Sequence, residues 1–154
     1  LGKPGVDAAL RRGRSGHPGA ADAALHAIAT ASGFDASPQL ADVYRGCVID
    51  AWTLSAGIEL APQATTLELR FLNEAFLNAY RHKTALAFKA LRLIEDDTVV
   101  RSVQRTLERG TTRDRADALE VFSNPADRDA SDQFALLLEP GGFLQKLNLP
   151  LLLI

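Results

Sequence analysis

The sequence predicts an all-α fold built from consecutive helix pairs, and three observations carry that expectation. Alanine and leucine are abundant while aromatics make up only 6% of residues, which favours helix because Ala and Leu lose little on entering one and pack closely between neighbours. Apolar residues recur at three- and four-residue spacing, and no segment alternates in the manner of a strand. Capping residues and glycines punctuate those runs. At 154 residues the chain is long enough to bury the core of one domain.

Pro4 opens a short helix that ends at Gly13. Pro18 suits the first position of the next, where Ala24, Leu25 and Ile28 face inward until Gly33. Ser37-Pro38 starts a third, with the stripe Leu40, Val43, Tyr44, Cys47, Val48, Ala51 and Trp52; Gly46 is expected to break or bend it. The run "TTLELRFLNEAFLNAYRHKTALAFKALRLI" carries one stripe at Leu72, Phe76 and Ala79 and another at Leu86, Ala90, Leu91 and Ile94. A periodic run of about 28 residues is long for a globular helix, so a break is expected near Arg81-His82. Asp97 is the expected N-cap of "TVVRSVQRTLERG", with Val99, Val103 and Leu107 on one face and Gly110 at its end. Thr112 is the expected cap of a helix with Ala118, Leu119 and Phe122 inward, stopped by Asn124-Pro125. Asp127 is the expected cap of the last, with Ala130, Phe134, Leu137 and Leu138 inward and Pro140-Gly141-Gly142 as its stop.

These helices repeat at a fixed offset. A shift of 31 residues places Leu91 on Phe122, Val103 on Phe134, Leu107 on Leu138 and Gly110 on Gly141. A shift of 63 places Ile28 on Leu91, Leu40 on Val103 and Tyr44 on Leu107. A shift of 97 places "ALRRG" on "TLERG". About four units result, the first partial, and the middle one is the weakest. One helix pair cannot bury its own apolar face, and stacking pairs makes a continuous core. The pattern resembles HEAT repeats, the two-helix units of α-solenoids (α-α superhelices). The units here are shorter than typical HEAT units and lack a regular proline in the first helix, which leaves armadillo-like or irregular helical bundles open. The portion from "LNAYRHKTALAFKALRLIEDDTVVRSV" through "RADALEVFSN" also looks like HEAT-type segments of certain bacterial proteins, through Arg115, Ala118, Leu119 and Glu120 after a helix-Asp-helix unit. That resemblance implies the middle portion of a transporter-like multidomain protein, sometimes with a cyclic-nucleotide-binding module beyond it.

Two segments are expected, a helical repeat domain over 1–142 and an apolar tail over 143–154. The tail "LNLPLLLI" calls for a cover, and the sequence holds no methionine; both read as a piece of a longer or processed chain. A single cysteine, Cys47, suggests a reducing compartment, and no run of 18 apolar residues offers a membrane span. The expected location is cytoplasmic, including the cytosolic part of a membrane-associated protein.

No catalytic, cofactor-binding or metal-ligating set is predicted. His17, His26, His82 and Cys47 fall in separate units without ligand spacing. Glu95, Asp96 and Asp97 read as a helix cap with acids favouring its positive end. Ser55, Ser102 and Ser131 sit inside helices with no nucleophile elbow around them, and Cys47 lies on an apolar stripe as a buried cysteine would. Asp127 and Asp129 flank Arg128 as solvated charge, and Gly141-Gly142 does not open a phosphate loop. Lys3, Arg11, Arg12, Arg14 and His17 form a basic cluster, but 95–139 holds eleven acids against six arginines, and the net charge is −2. Nucleic acid is therefore disfavoured as a partner. Arg113, Arg115 and Arg128 are expected to pair with carboxylates of neighbouring units.

The expected function is a non-catalytic scaffold or coupling module contacting another protein or a neighbouring domain of the same chain, without a cofactor. Leu91, Val103, Leu107, Leu119, Phe122, Phe134 and Leu138 are its expected core. The rivals are a nucleic-acid-binding helical repeat and a small-molecule-binding or enzymatic domain with a pocket near Trp52, Tyr44 and His26.

Overall fold

A computed structural model of the chain describes residues 5, 7–9, 11, 18–30, 37–60, 66–120 and 128–138. Among these residues there is no strand, so the all-α expectation holds. The helices are α1 (Pro18–Ala29), α2 (Ser37–Leu60), α3 (Leu67–Ile94), α4 (Asp97–Arg109), α5 (Thr112–Glu120) and α6 (Arg128–Leu138). Of the short N-terminal helix expected from Pro4, Gly5, Asp7 to Ala9 and Arg11 are helical. The apolar tail and the stop at Pro140-Gly141-Gly142 lie outside the described residues.

The framework is the antiparallel pair α2–α3. Gly57 faces the Phe76 ring and Asp50 pairs with Lys83 at 2.6 Å, so the two chains run past each other in opposite directions. Pairing over this length removes both expected breaks: α2 continues through Gly46, and α3 is one helix of 28 residues through Arg81 and His82. Tertiary support, rather than local propensity, sustains helices of this length. Gly46 costs α2 about 0.5–1 kcal/mol relative to alanine without interrupting it.

The core lies along one half of this pair. Ala24, Leu25 and Ile28 of α1, Leu40, Tyr44, Cys47, Val48 and Ala51 of α2, and Leu86, Ala90 and Leu91 of α3 are buried as the stripes predict, and Ala87 and Phe88, outside the predicted stripe, are buried beside them. Phe134 of α6 is fully buried, its ring edge-on to Tyr44 (5.7 Å) and inclined to Phe88 (5.0 Å). Beside it the Trp52 indole N–H donates to the Gln133 carbonyl at 3.1 Å. Thus α6 returns across 81 residues to pack on α2. Leu137 is buried as expected, while Leu107 and Leu138 are half-buried against the core. The side chains of Leu119 and Phe122 lie outside what is described.

The face of α4 differs from expectation in its first turn: Val103 is buried and Leu107 half-buried as expected, but Val100 is buried and Val99 is 45% exposed. Asp96, not Asp97, is the N-cap. The Asp96 carboxylate accepts from the backbone N–H of Thr98 (2.8 Å) and Val99 (3.2 Å). Asp97 instead becomes the first helical residue and accepts from Arg101 Nε at 2.6 Å. The start of α5 shifts likewise: Thr111, not Thr112, accepts from Asp114 N–H at 3.3 Å, while Asp114 accepts from Thr111 N–H at 2.9 Å. This reciprocal arrangement is a capping box with aspartate in the acidic position. The expected cap at Asp127 lies outside the described residues.

These caps make an acid-sensitivity prediction. The N–H groups of Val99 and Thr98 hold the Asp96 carboxyl below the ordinary aspartate range, and Thr111, through its hydroxyl and then its N–H, does the same for Asp114. A depressed folded-state pKa adds stability that is present above the unfolded value of about 3.9 and lost as pH falls through the folded value. Amide protection in the first turns of α4 and α5 is therefore expected to drop below about pH 4 while the α2–α3 core stays protected. Carboxyl NMR titration checks it, and ordinary midpoints for both residues would contradict the cap geometry.

Gly110 ends α4 with its N–H donating to the Thr106 carbonyl at 2.6 Å. A Cβ there would stand 2.5 Å from that same oxygen, so no side chain fits without moving backbone. Gly110→Ala is expected to cost about 1–3 kcal/mol in urea unfolding; unchanged stability would mean the turn yields freely.

Candidate functional site

The residues that chemistry would use are kept apart. Trp52 is committed to α6 and Tyr44 to the Phe134 ring, whereas His26 is exposed on α1 beside Lys89 and Arg92. The pocket expected near these three is therefore not formed by them. His82 is half-buried on α3, Ser55 is half-buried on α2, Ser102 is exposed on α4 and Ser131 is buried on α6. Among the described residues no group of three or more His, Cys, Asp or Glu is placed to hold a metal. His17 and most of the N-terminal basic cluster lie outside those residues; Arg11 is exposed.

Cys47 is buried as expected, and burial pushes its thiol above the ordinary range. Lys83 offsets that rise and Asp50 adds to it. A protonated, enclosed thiol is a poor nucleophile.

The expected arginine bridges between units take a different form. Among the described residues Arg113 and Arg115 make no ion pair with a neighbouring helix, and the Arg115 Nε is buried without a hydrogen-bond partner. The interhelical pairs are instead Lys83–Asp50 and Lys89–Asp22, both 2.6 Å, and Arg92–Asp97 at 3.9 Å. All are partly exposed, so each contributes little and serves mainly to set the register of α1, α2, α3 and α4.

Two surfaces stand out. The first is an arm. No described side chain of α2 beyond Ala51 is buried, and none of α3 before Leu86. Apart from Trp52, which reaches α6, and Tyr80, which packs against the core, these halves of the two helices meet through contacts such as Gly57–Phe76. On the outer side of the arm Leu67 is 62% exposed, Phe71 63% and Leu72 47%. Leu67, Phe71 and Ala75 recur every four residues and share one face of α3. Leu72 was expected inside with Phe76 and Ala79; it is exposed, and those two are half-buried. Three large apolar side chains thus stay exposed on this part of α3.

The second surface is an arginine-lined cleft of about 470 Å³ formed by Arg92, Arg101, Gln104, Arg105, Glu108 and Arg109. Arg101, Arg105 and Arg109 repeat at four-residue spacing along α4. Asp97 is shared by Arg101 and Arg92, and Gln104 donates to Glu108 at 3.3 Å, which blunts the positive field. The arm was missed in the sequence because an exposed apolar row and a buried one have the same spacing.

Among the described residues no helix is long and apolar enough to cross a membrane. Compared with known proteins, the chain matches no family model, no curated protein and no solved structure.

Proposed function

We propose that the chain is a non-catalytic interaction module, a HEAT-like array of stacked helix pairs that couples to another protein or to a neighbouring domain of its own chain. The single observation that carries this reading is the arm, with the large apolar side chains of Leu67, Phe71 and Leu72 exposed on one helix. The sequence register supports the array: Leu91 of α3 recurs as Phe122, and Val103 and Leu107 of α4 recur as Phe134 and Leu138 of α6, 31 residues later. Because α6 returns to α2, the array curls on itself, and contact falls to the arm rather than to a concave groove. Cytosolic localisation belongs to the same proposal.

The test is site-specific photocrosslinking in the full-length protein. A crosslinker at Phe71 is expected to trap one defined partner or neighbouring domain, and Leu67→Ser beside it is expected to abolish the product. Equal capture from Phe71 and from the α4 position Arg105, or none from Phe71, would reject the arm as the contact. A second reading, nucleic-acid binding, rests on the arginine cleft. It requires oligonucleotide affinity that falls steeply with salt and weakens in Arg105→Ala with Arg109→Ala.

A further inference from the structure

A separate cavity of about 280 Å³ opens where α1, α2 and α3 meet, and Gly46 forms part of its wall. Asp42, Gly46 and Asp50 follow one another at four-residue spacing, so the glycine is a notch with a carboxylate about one turn, about 6 Å of rise, to either side. A Cβ at Gly46 would meet nothing within 4 Å, so packing does not require glycine there. Glycine inside a helix is unfavourable relative to alanine, and what it leaves at this place is room. The apolar wall is made by Ala21, Ala24 and Leu25 of α1, Val43 of α2 and Leu86 of α3, with the Cys47 side chain alongside. Three charged residues line the rim: Asp42, Asp50 and Lys83.

The charges decide what would fit. Lys83 is already taken by Asp50 at 2.6 Å, and this pair is neutral. Asp42 is held by Arg45 at 3.2 Å, but that pair is about half exposed and Arg45 is not part of the cavity wall. An exposed pair of this kind exchanges partners at little cost. The cavity therefore has an apolar body and one surplus negative charge. Its volume lies just below the range of drug-sized ligand pockets, about 300–1,000 Å³, which limits the occupant to a smaller molecule.

We infer that this cavity is a binding site for a small organic cation, one ring or short alkyl chain bearing an ammonium group. The apolar body lies against the α1 and α3 walls and the ammonium sits over Gly46 on the side of Asp42. The site is independent of the arm and of the role proposed for it.

The experiment uses the whole chain with benzylammonium, benzyl alcohol and phenylacetate as probes, read by calorimetric titration and by protection against thermal unfolding. Benzylammonium is expected to bind with measurable heat and, at about ten times its Kd, to raise Tm. Benzyl alcohol is expected to act more weakly and phenylacetate not at all. Gly46→Leu, which fills the notch, is expected to fold and to lose the benzylammonium effect; Asp42→Asn, which leaves the cavity open, is expected to erase the preference for the cation over the alcohol. Stronger protection by phenylacetate would show that Lys83 receives the ligand and would overturn the charge assignment. Protection by none of the probes, or undiminished protection in Gly46→Leu, would overturn the site itself.

Discussion

Replacing Phe134 by alanine is expected to destabilise the fold by about 3–5 kcal/mol, the range for removing a buried aromatic ring. The ring is fully buried and meets Tyr44 edge-on and Phe88 at 62°, so truncation leaves a hole shared by α2, α3 and α6. The two aromatic contacts add to the area lost, at about 0.5–1.5 kcal/mol each. Urea unfolding at constant m-value checks the number. A loss under about 1 kcal/mol would mean that α6 does not seat on the α2–α3 pair.

Glutamate at position 87 is expected to be still more damaging, while glutamate at position 71 of the same helix is expected to be nearly silent. Ala87 is small but fully buried in α3, and Phe71 is large but 63% exposed. Ala87→Glu strands a carboxylate without a partner, which costs about 3–5 kcal/mol or more and leaves little cooperative folding in a domain of ordinary stability. Phe71→Glu keeps its side chain in water and is expected to change stability by no more than about 0.5 kcal/mol. Thermal melts of the two variants separate the core half of α3 from its arm half. Similar losses in both would show that the arm is covered and would remove the basis of the proposed contact surface.

The residues themselves explain which expectations survived. The stripe from Leu40 to Trp52 and the one from Leu86 to Ile94 stand in the core or against it because each has a neighbour to bury it. The stripe beginning at Leu72 has the same periodicity, but the helix facing it covers only part of it. Periodicity tells which side chains share a face and not whether another helix lies over that face. The two caps moved by one residue for a simpler reason: Asp96-Asp97 and Thr111-Thr112 each offer the same side chain twice. Helix length was misjudged at Arg81-His82 because the partner that supports α3 lies about thirty residues earlier in the chain, outside any local window. The notch at Gly46 was legible as a glycine but not as a space, since its walls come from three helices.

The seat of α6 on α2 bears on how the molecule is made. Trp52 and Gln133 are 81 positions apart, so one of the bonds that hold the core together waits until most of the described chain has left the ribosome. Until then the α2–α3 pair can form from nearby residues, with Tyr44 and Phe88 lacking the ring that covers them. Contacts between distant parts of a chain form slowly because a long loop must close first. The nascent protein therefore passes through an interval in which a helical hairpin already stands, with its core half as open to other proteins as its arm.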